Sequence, residues 1–295
     1  MKAACLRVFL AMVLMYSGAL PCGSKEPLAY VVIRPVINMH SAPREDAEVV
    51  SQALLGARLL ELERAGGWAK IKGDDDYPGW VPLAALRPLE AGERYPSEPG
   101  RLVEVDALGA NIFAEPSVTR QAPLLTAPFG VRLERINGGK DSKRWLEIRL
   151  PDRRNAWIQS GDVRTDPKPL GLEASLELAK RFLGINYTWG GASSFGFDCS
   201  GFTQTIVRSR GVIMPRDARI QAAWAGLAEV PDRAQLQPGD LLFFREDTDR
   251  ITHTGIYLGN GAFIHDSTSN RPCVQISGLG ESGWSKSLVA MRRLK

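Results

Sequence analysis

Phe197-Asp198-Cys199-Ser200-Gly201-Phe202 is the stretch from which the fold of this chain is read. A glycine-rich approach, Gly190-Gly191 through Gly196, runs into Asp198, a natural N-cap, and apolar residues then recur at Phe202, Ile206 and Val207. The spacing predicts a helix over 199–210 that stops at Gly211. Cys199 then occupies the first helical turn, where free N–H groups and peptide dipoles favour a thiolate over a thiol. A cysteine nucleophile needs that, because the ionised sulfur is the attacking species. A lone cysteine is ordinarily a small buried hydrophobe, so the reading depends on finding a base.

The chain holds three histidines, His40, His253 and His265, and two of them flank one predicted hairpin. Thr254–Leu258 and Ala262–His265 read as strands around Gly259-Asn260-Gly261. If the loop is those three residues, Leu258 faces Ala262, His253 faces Ser267 and His265 faces Gly255. Side chains alternate along a strand, so the two histidines then share a face as diagonal neighbours. A two-residue loop would put them on opposite faces. On a shared face His253 takes the thiol proton and His265 orients its ring, the nucleophile, base and orienter logic of a triad.

Outward from this core, Leu172, Leu176, Ala179, Phe182 and Leu183 recur at helical spacing, and Leu241–Phe244 reads as a strand. Helices first and strands after suggest an α+β domain over 172–295. Upstream lies an internal repeat. Asn38-Met39-His40-Ser41-Ala42-Pro43, Trp68-Ala69-Lys70-Ile71 and Trp80-Val81 are echoed by Asn111-Ile112-Phe113-Ala114-Glu115-Pro116, Trp145-Leu146-Glu147-Ile148 and Trp157-Ile158. The two tryptophans are twelve residues apart in both copies. Short Val/Ile/Leu runs broken by Gly, Pro and Asp predict two small all-β barrels, over 28–89 and 101–165, with the tryptophans as packing residues. Arg87–Gly100 and Thr165–Gly171, rich in Pro and Gly, read as linkers.

At 295 residues the chain fits two or three domains of roughly 100–200 residues. The net charge of +4 falls to +2 without the first 23 residues, which hold Lys2 and Arg7 and no acid. That is too mild for a nucleic-acid binder, and no basic stripe interleaved with aromatics appears. Lys2 and Arg7, the apolar run Val8–Met15 and Ser17-Gly18-Ala19 have the layout of a secretory signal peptide over 1–23, so the protein is expected to be exported, to the periplasm or beyond. Ala19-Leu20-Pro21 before Cys22 is a poor lipoprotein approach, which argues against a lipid anchor. Cys5 leaves with the signal, and Cys22, Cys199 and Cys273 remain, an odd number in an exported protein. Cys273 is expected to be idle, a bridge to Cys22 being the alternative. No Cys/His group has zinc spacing, so neither metal nor cofactor is expected.

Residues 173–295 resemble the NlpC-type cysteine peptidases, a papain-like group acting on peptidoglycan. The resemblance is carried in order by Tyr187-Thr188-Trp189-Gly190-Gly191, the Cys199 stretch, Pro215-Arg216-Asp217-Ala218, Pro238-Gly239-Asp240-Leu241, His253-Thr254-Gly255-Ile256-Tyr257-Leu258-Gly259 and Phe263-Ile264-His265. The repeats resemble bacterial SH3-like domains, the second more weakly because Ala156 replaces the glycine before its last tryptophan. The implied architecture is multidomain: two SH3-like barrels followed by an α+β papain-like NlpC catalytic domain. The resemblance implies Cys199 as nucleophile, His253 as base, His265 as third member, and Tyr187 beside the thiolate, helping the Cys199 N–H hold an oxyanion. Thr254, where the family often has valine, is expected to point away from the site.

Family members cut the bond between γ-D-glutamate and the diamino acid of stem peptides. Asp74-Asp75-Asp76-Tyr77-Pro78-Gly79-Trp80 resembles a loop that such enzymes lay against the active site. By that resemblance Tyr77 and Asp198 bind the free amine of the terminal L-Ala, and Ser200 and Arg216 help form the glutamyl pocket, Arg216 alternatively supporting the fold. From the residues alone, Tyr77 would be a loop aromatic packed on Pro78 and Asp198 a plain N-cap. The expected substrate is a peptidoglycan stem peptide beginning with free L-Ala-γ-D-Glu. The alternatives are a crosslink-cutting endopeptidase, an amidase or acyltransferase of the same superfold, and a catalytically dead wall-binding module.

Overall fold

The computed structural model describes residues 28–97, 101–136, 142–245, 249–269 and 271–295. The expected signal segment and Cys22 lie outside the described residues. β1 (Ala29–Val32), β2 (Val36–His40), β3 (Val49–Leu54), β4 (Arg58–Ala65), β5 (Trp68–Lys72), β6 (Pro78–Pro82) and β7 (Leu86–Pro88) form one sheet in the order β3-β2-β6-β5-β4-β1-β7. β8 (Leu102–Val105), β9 (Gly109–Phe113), β10 (Leu125–Pro128), β11 (Arg132–Arg135), β12 (Trp145–Arg149), β13 (Asn155–Gln159) and β14 (Val163–Thr165) repeat that order seven strands later, β10-β9-β13-β12-β11-β8-β14. The repeat in sequence is thus a repeat in topology. Period-two burial drives each copy: Ala69 and Ile71 of β5, and Ala156 and Ile158 of β13, point inward between half-buried or exposed neighbours.

The tryptophans pack as the pattern predicts. Trp68 meets His40 edge to face, and Trp145 meets Phe113 likewise. His40 is a buried barrel residue whose Nδ1 lies 3.0 Å from the Ala47 carbonyl. Ala156 is accommodated in the second copy, whereas a Cβ on Gly79 of the first would stand 2.8 Å from the Met39 Cβ. The β5–β6 and β12–β13 loops are equally long but dock differently. The first turns toward the C-terminal domain. The second grips the linker, where Pro151 O accepts from Arg87 Nε at 2.6 Å and Arg149 O accepts from the Tyr95 hydroxyl at 2.6 Å.

The C-terminal unit comprises α1 (Leu172–Arg181), a small hairpin of β15 (Ala192–Ser193) and β16 (Gly196–Phe197), α2 (Cys199–Ser209), α3 (Ala218–Ala223), β17 (Leu227–Glu229), β18 (Leu241–Phe244), β19 (His253–Gly259), β20 (Ala262–Ser267), β21 (Cys273–Gly278), α4 (Ser282–Ser287) and β22 (Leu288–Leu294). Its six-stranded sheet runs β17-β22-β18-β19-β20-β21. Phe202, Ile206 and Val207 of α2 pack with Phe182 behind α1 and with Ile256, Ile264 and Val274 on one sheet face. Leu242, Phe244, Phe263 and Trp284 form a second cluster. The unit is α+β, with the nucleophile's helix against the sheet that carries the histidines.

The three cores interlock. Leu55, just past β3, belongs to the core cluster of the second barrel. Phe129 of the second barrel belongs to the core of the C-terminal unit, edge-on to Phe182 at 5.3 Å. Burying such a ring contributes about 1.5–3 kcal/mol. The Phe129 N–H donates to Ser194 Oγ at 2.9 Å, and that hydroxyl donates to Leu108 O at 2.5 Å.

Candidate active site

Cys199 is the first residue of α2 and Asp198 its N-cap, with Asp198 Oδ1 accepting from the Gly201 N–H at 2.7 Å. The thiol is buried, 3.9 Å from Thr252 O, and the Ser200 and Thr254 N–H groups favour its ionised form. It therefore lies against the backbone on both sides of His253. The expectation that the helix start makes a ready thiolate needs correction. Burial first, then the Asp198 carboxylate, push the thiol up to about 12, outweighing those N–H groups and Arg216. Burial pushes His253 down to about 3, and burial with the neighbouring His253 pushes His265 to about 2. Each charge alone is disfavoured here. A thiolate and imidazolium formed together by proton transfer carry no net charge, and only as that pair are they tolerable.

The histidines meet as the shared-face reading requires, by a different turn. Asn260 and Gly261, both at positive φ, close a two-residue turn, and Gly259 pairs with Ala262. That turn alone would separate the rings. A bulge between Tyr257 and Gly259 absorbs one residue and restores the pairs Ile256–Ile264 and Tyr257–Phe263. His253 Nε2 then lies 2.8 Å from His265 Nδ1, and His265 Nε2 lies 3.0 Å from Ser277 Oγ. The same distances admit two proton arrangements, and the one a base requires has Nε2–H of His265 donating to Ser277 and its Nδ1 accepting from His253 Nε2–H. In that arrangement the His253 Nδ1 lone pair is left to serve as the base. Phe244, Phe263 and Trp284 wall the relay. Ser277, on β21, was not singled out by sequence reasoning.

Arg216 is 1% exposed and spends its whole guanidinium inside the protein. It donates to Asp198 Oδ1 at 2.9 Å and Oδ2 at 2.6 Å, to Ser200 Oγ at 2.7 Å, to Gly191 O at 3.2 Å and to Ser51 Oγ of the first barrel at 3.0 Å. Ser200 Oγ also donates to Asp198 at 3.1 Å. Of the two alternatives for Arg216, this geometry is that of support: it fixes Asp198 and has no N–H left for a ligand.

The first barrel lies against this network. Gln52 Oε1 accepts from the Ala192 N–H at 3.0 Å and Ser193 Oγ at 3.1 Å, and Asp75 Oδ2 accepts from Gln204 Nε2 at 3.0 Å. Tyr77 lies by the Asp217 carboxylate and feels Asp198, and burial with those charges raises its hydroxyl to about 12, so it remains a neutral phenol. Trp189 Nε1 donates to Glu48 Oε1 of the barrel at 3.2 Å. Sequence reasoning missed Glu48 and Asp217, which have no spacing signal linking them to Asp198. Tyr187 is half-buried, its hydroxyl raised by burial and by Cys199, Asp198 and Asp266. Among the described residues no group of three His, Cys, Asp or Glu could hold a metal.

A buried thiol at a helix start, beside a two-histidine relay on a packed sheet, is the constellation of a papain-like cysteine peptidase. The chain belongs to the NlpC/P60 family, whose model matches residues 184–293, and the bacterial dipeptidyl-peptidase SH3 domain matches residues 39–86. A γ-D-glutamyl-L-lysine dipeptidyl-peptidase of Bacillus cereus is 32% identical over 82% of this chain and 74% of its own length. One of that name from Bacillus subtilis is 28% identical over 84% and 82%. A crystal structure of an NlpC/P60 family protein from Bacillus cereus superposes with a TM-score of 0.78 at 25% identity, covering 90% of this chain and 99% of that one. The protein is a hydrolase of the cysteine peptidase class.

Proposed function

We propose that this peptidase is exported and hydrolyses the γ-D-glutamyl bond to L-lysine or diaminopimelate in peptidoglycan stem peptides whose L-Ala amine is free. One arrangement carries the reading: the first barrel abuts the segment before the nucleophile, with Glu48 on Trp189 and Tyr77 near Asp217 and Asp198. A desolvated ammonium needs a counter-charge and acceptors, and this end of the site is rich in both. A chain continuing past the alanine nitrogen, as sugar-linked wall does, would run into the barrel. The names of the Bacillus relatives agree with this bond.

In the reaction His253 Nδ1 takes the Cys199 proton and the thiolate attacks the γ-carbonyl carbon. The oxyanion accepts from the Cys199 N–H and the Tyr187 hydroxyl. His253 returns the proton to the leaving amine as the C–N bond breaks, then deprotonates the water that hydrolyses the thioester. His265 and Ser277 hold the ring in the required tautomer. Asp198 receives the ammonium, held by Arg216, and Ser200 lies at the glutamyl side.

The test is hydrolysis of L-Ala-γ-D-Glu-meso-diaminopimelate and its L-lysine counterpart, read by mass spectrometry beside their N-acetylated forms and a Cys199→Ala control. Release of L-Ala-γ-D-Glu by the wild type alone, from free-amine peptides alone, is expected. Equal cleavage of acetylated peptide removes the amine gate, and cleavage of neither overturns the reading.

A further inference from the structure

Asp266 is fully buried, and neither carboxyl oxygen has a hydrogen-bond partner among the described residues. The Ser267 N–H lies near enough to act on it electrostatically but outside hydrogen-bond geometry. Strand alternation sets Asp266 opposite His265, on the sheet face whose next members, Ile264 and Val274, pack under α2. Extending the Ile256–Ile264 pair by two residues along both strands puts Thr254 on the sheet face of Asp266, and Thr254 Oγ1 is likewise buried and unpartnered. Two orphaned polar side chains thus share the sheet face that packs under α2. Tyr187 and Asp198 both interact electrostatically with Asp266. The relay uses His253 and His265 and leaves this pair unemployed.

We propose that Asp266 is a positioning residue that sets the charge behind the oxyanion site: as a neutral acid it lets negative charge develop beside Tyr187, and as a carboxylate it opposes it. The proposal rests on the roles given above to Cys199, His253 and Tyr187. A bare carboxylate without a donor is costly in such a place, so the neutral acid is the resting form. Burial first, then the Asp198 charge, raise Asp266 to about 8. The charged and titratable groups acting on it are Asp198 before α2 and Tyr187 on the preceding segment; Arg216, whose positive charge reaches Tyr187 and Cys199, is committed to Asp198. From β19 and β21 its opposing residues are Thr254 and Val274, neither charged. A negative charge appearing several ångströms from a developing oxyanion, at an effective dielectric near 20, slows the reaction on the order of tenfold or more.

The test compares kcat/KM of the wild type and Asp266→Asn on L-Ala-γ-D-Glu-meso-diaminopimelate across pH 6.5 to 9.5. The substrate amine titrates in this range but is common to both enzymes, so the ratio of mutant to wild type cancels it. The ratio should rise about tenfold or more with pH. A flat ratio overturns the proposal. Infrared difference spectra of Cys199→Ala, with and without Asp266→Asn, keep the test independent of turnover. A protonated carboxyl C=O band present at pH 7, lost by pH 9.5 and absent from the double variant is expected, and no such band overturns the proposal. If neither enzyme cuts the peptide, the proposed function has failed, and the infrared result still decides whether Asp266 carries a proton.

Discussion

Replacing Arg216 by alanine should unfold the protein more readily and blunt its handling of free-amine peptides. The guanidinium makes five hydrogen bonds, two of them to Asp198, whose side chain is 13% exposed. Removing one member of a buried, paired charge costs about 3–5 kcal/mol, because the other is left uncompensated. The bonds to Ser51, Ser200 and Gly191 add about 1 kcal/mol each at most, and they share one side chain, so they do not sum. A loss of about 4 kcal/mol, at about 2–4 °C per kcal/mol for chains of this order, lowers Tm by roughly 8–16 °C in calorimetry. Arg216→Lys keeps the charge without the fork and should lose about half as much. Arg216→Ala with Asp198→Ala should recover part of the loss, since no bare charge remains. KM for L-Ala-γ-D-Glu-diaminopimelate should rise more than kcat falls. A Tm drop under about 2 °C, or a double variant no better than Arg216→Ala, would refute the reasoning.

Three further expectations follow from the same geometry. His265→Ala frees the His253 ring and should lower kcat on the order of 10²-fold or more, and Ser277→Ala about 5-fold, with KM nearly unmoved in steady-state kinetics; a larger effect from Ser277 than from His265 would contradict the relay. Deleting Leu258 removes only the residue that the bulge absorbs and keeps the pairs Tyr257–Phe263 and Ile256–Ile264, so His253 stays on the His265 face and peptide cleavage should survive; its loss in a folded variant would show that this pairing does not set the histidine register. Glu93 is held down to about 2, chiefly by Arg87, so its stabilisation is complete above the usual glutamate range and drains as pH falls from about 4.5 toward 2. Glu93→Gln should flatten acid unfolding there by on the order of 1–2 kcal/mol, allowing for solvent screening; superposable acid transitions would exclude the linker clamp.

The parts of the fold that sequence reading reached are those with short-range periodicity. The helix at Cys199, its cap, the barrel repeat and the histidine hairpin all follow from spacing within a few residues. The shared histidine face was tied to a three-residue loop, and a two-residue loop was expected to break it; the turn has two residues and the face is still shared, because a bulge at Leu258 leaves no mark in residue types. Contacts between units were illegible for a different reason. Ser51 and Gln52 on β3 and Glu48 just before it are polar barrel residues, and nothing in their spacing says that a peptidase segment will lie across them. The thiol was misjudged because the helix-start argument is local, whereas burial is set by the whole fold. Thr254, expected to point away from the site, is buried with its hydroxyl unpartnered.

Leu55 and Phe129, each lodged in the core of the next unit, change what a domain boundary means for this chain. Inheritance of the parts is coupled: a barrel exchanged for one from a relative would arrive with a plug shaped for another socket. A conservative drift of Phe129 would loosen the packing around Phe182 before it harmed its own barrel. The three units can be named separately, but they vary as one.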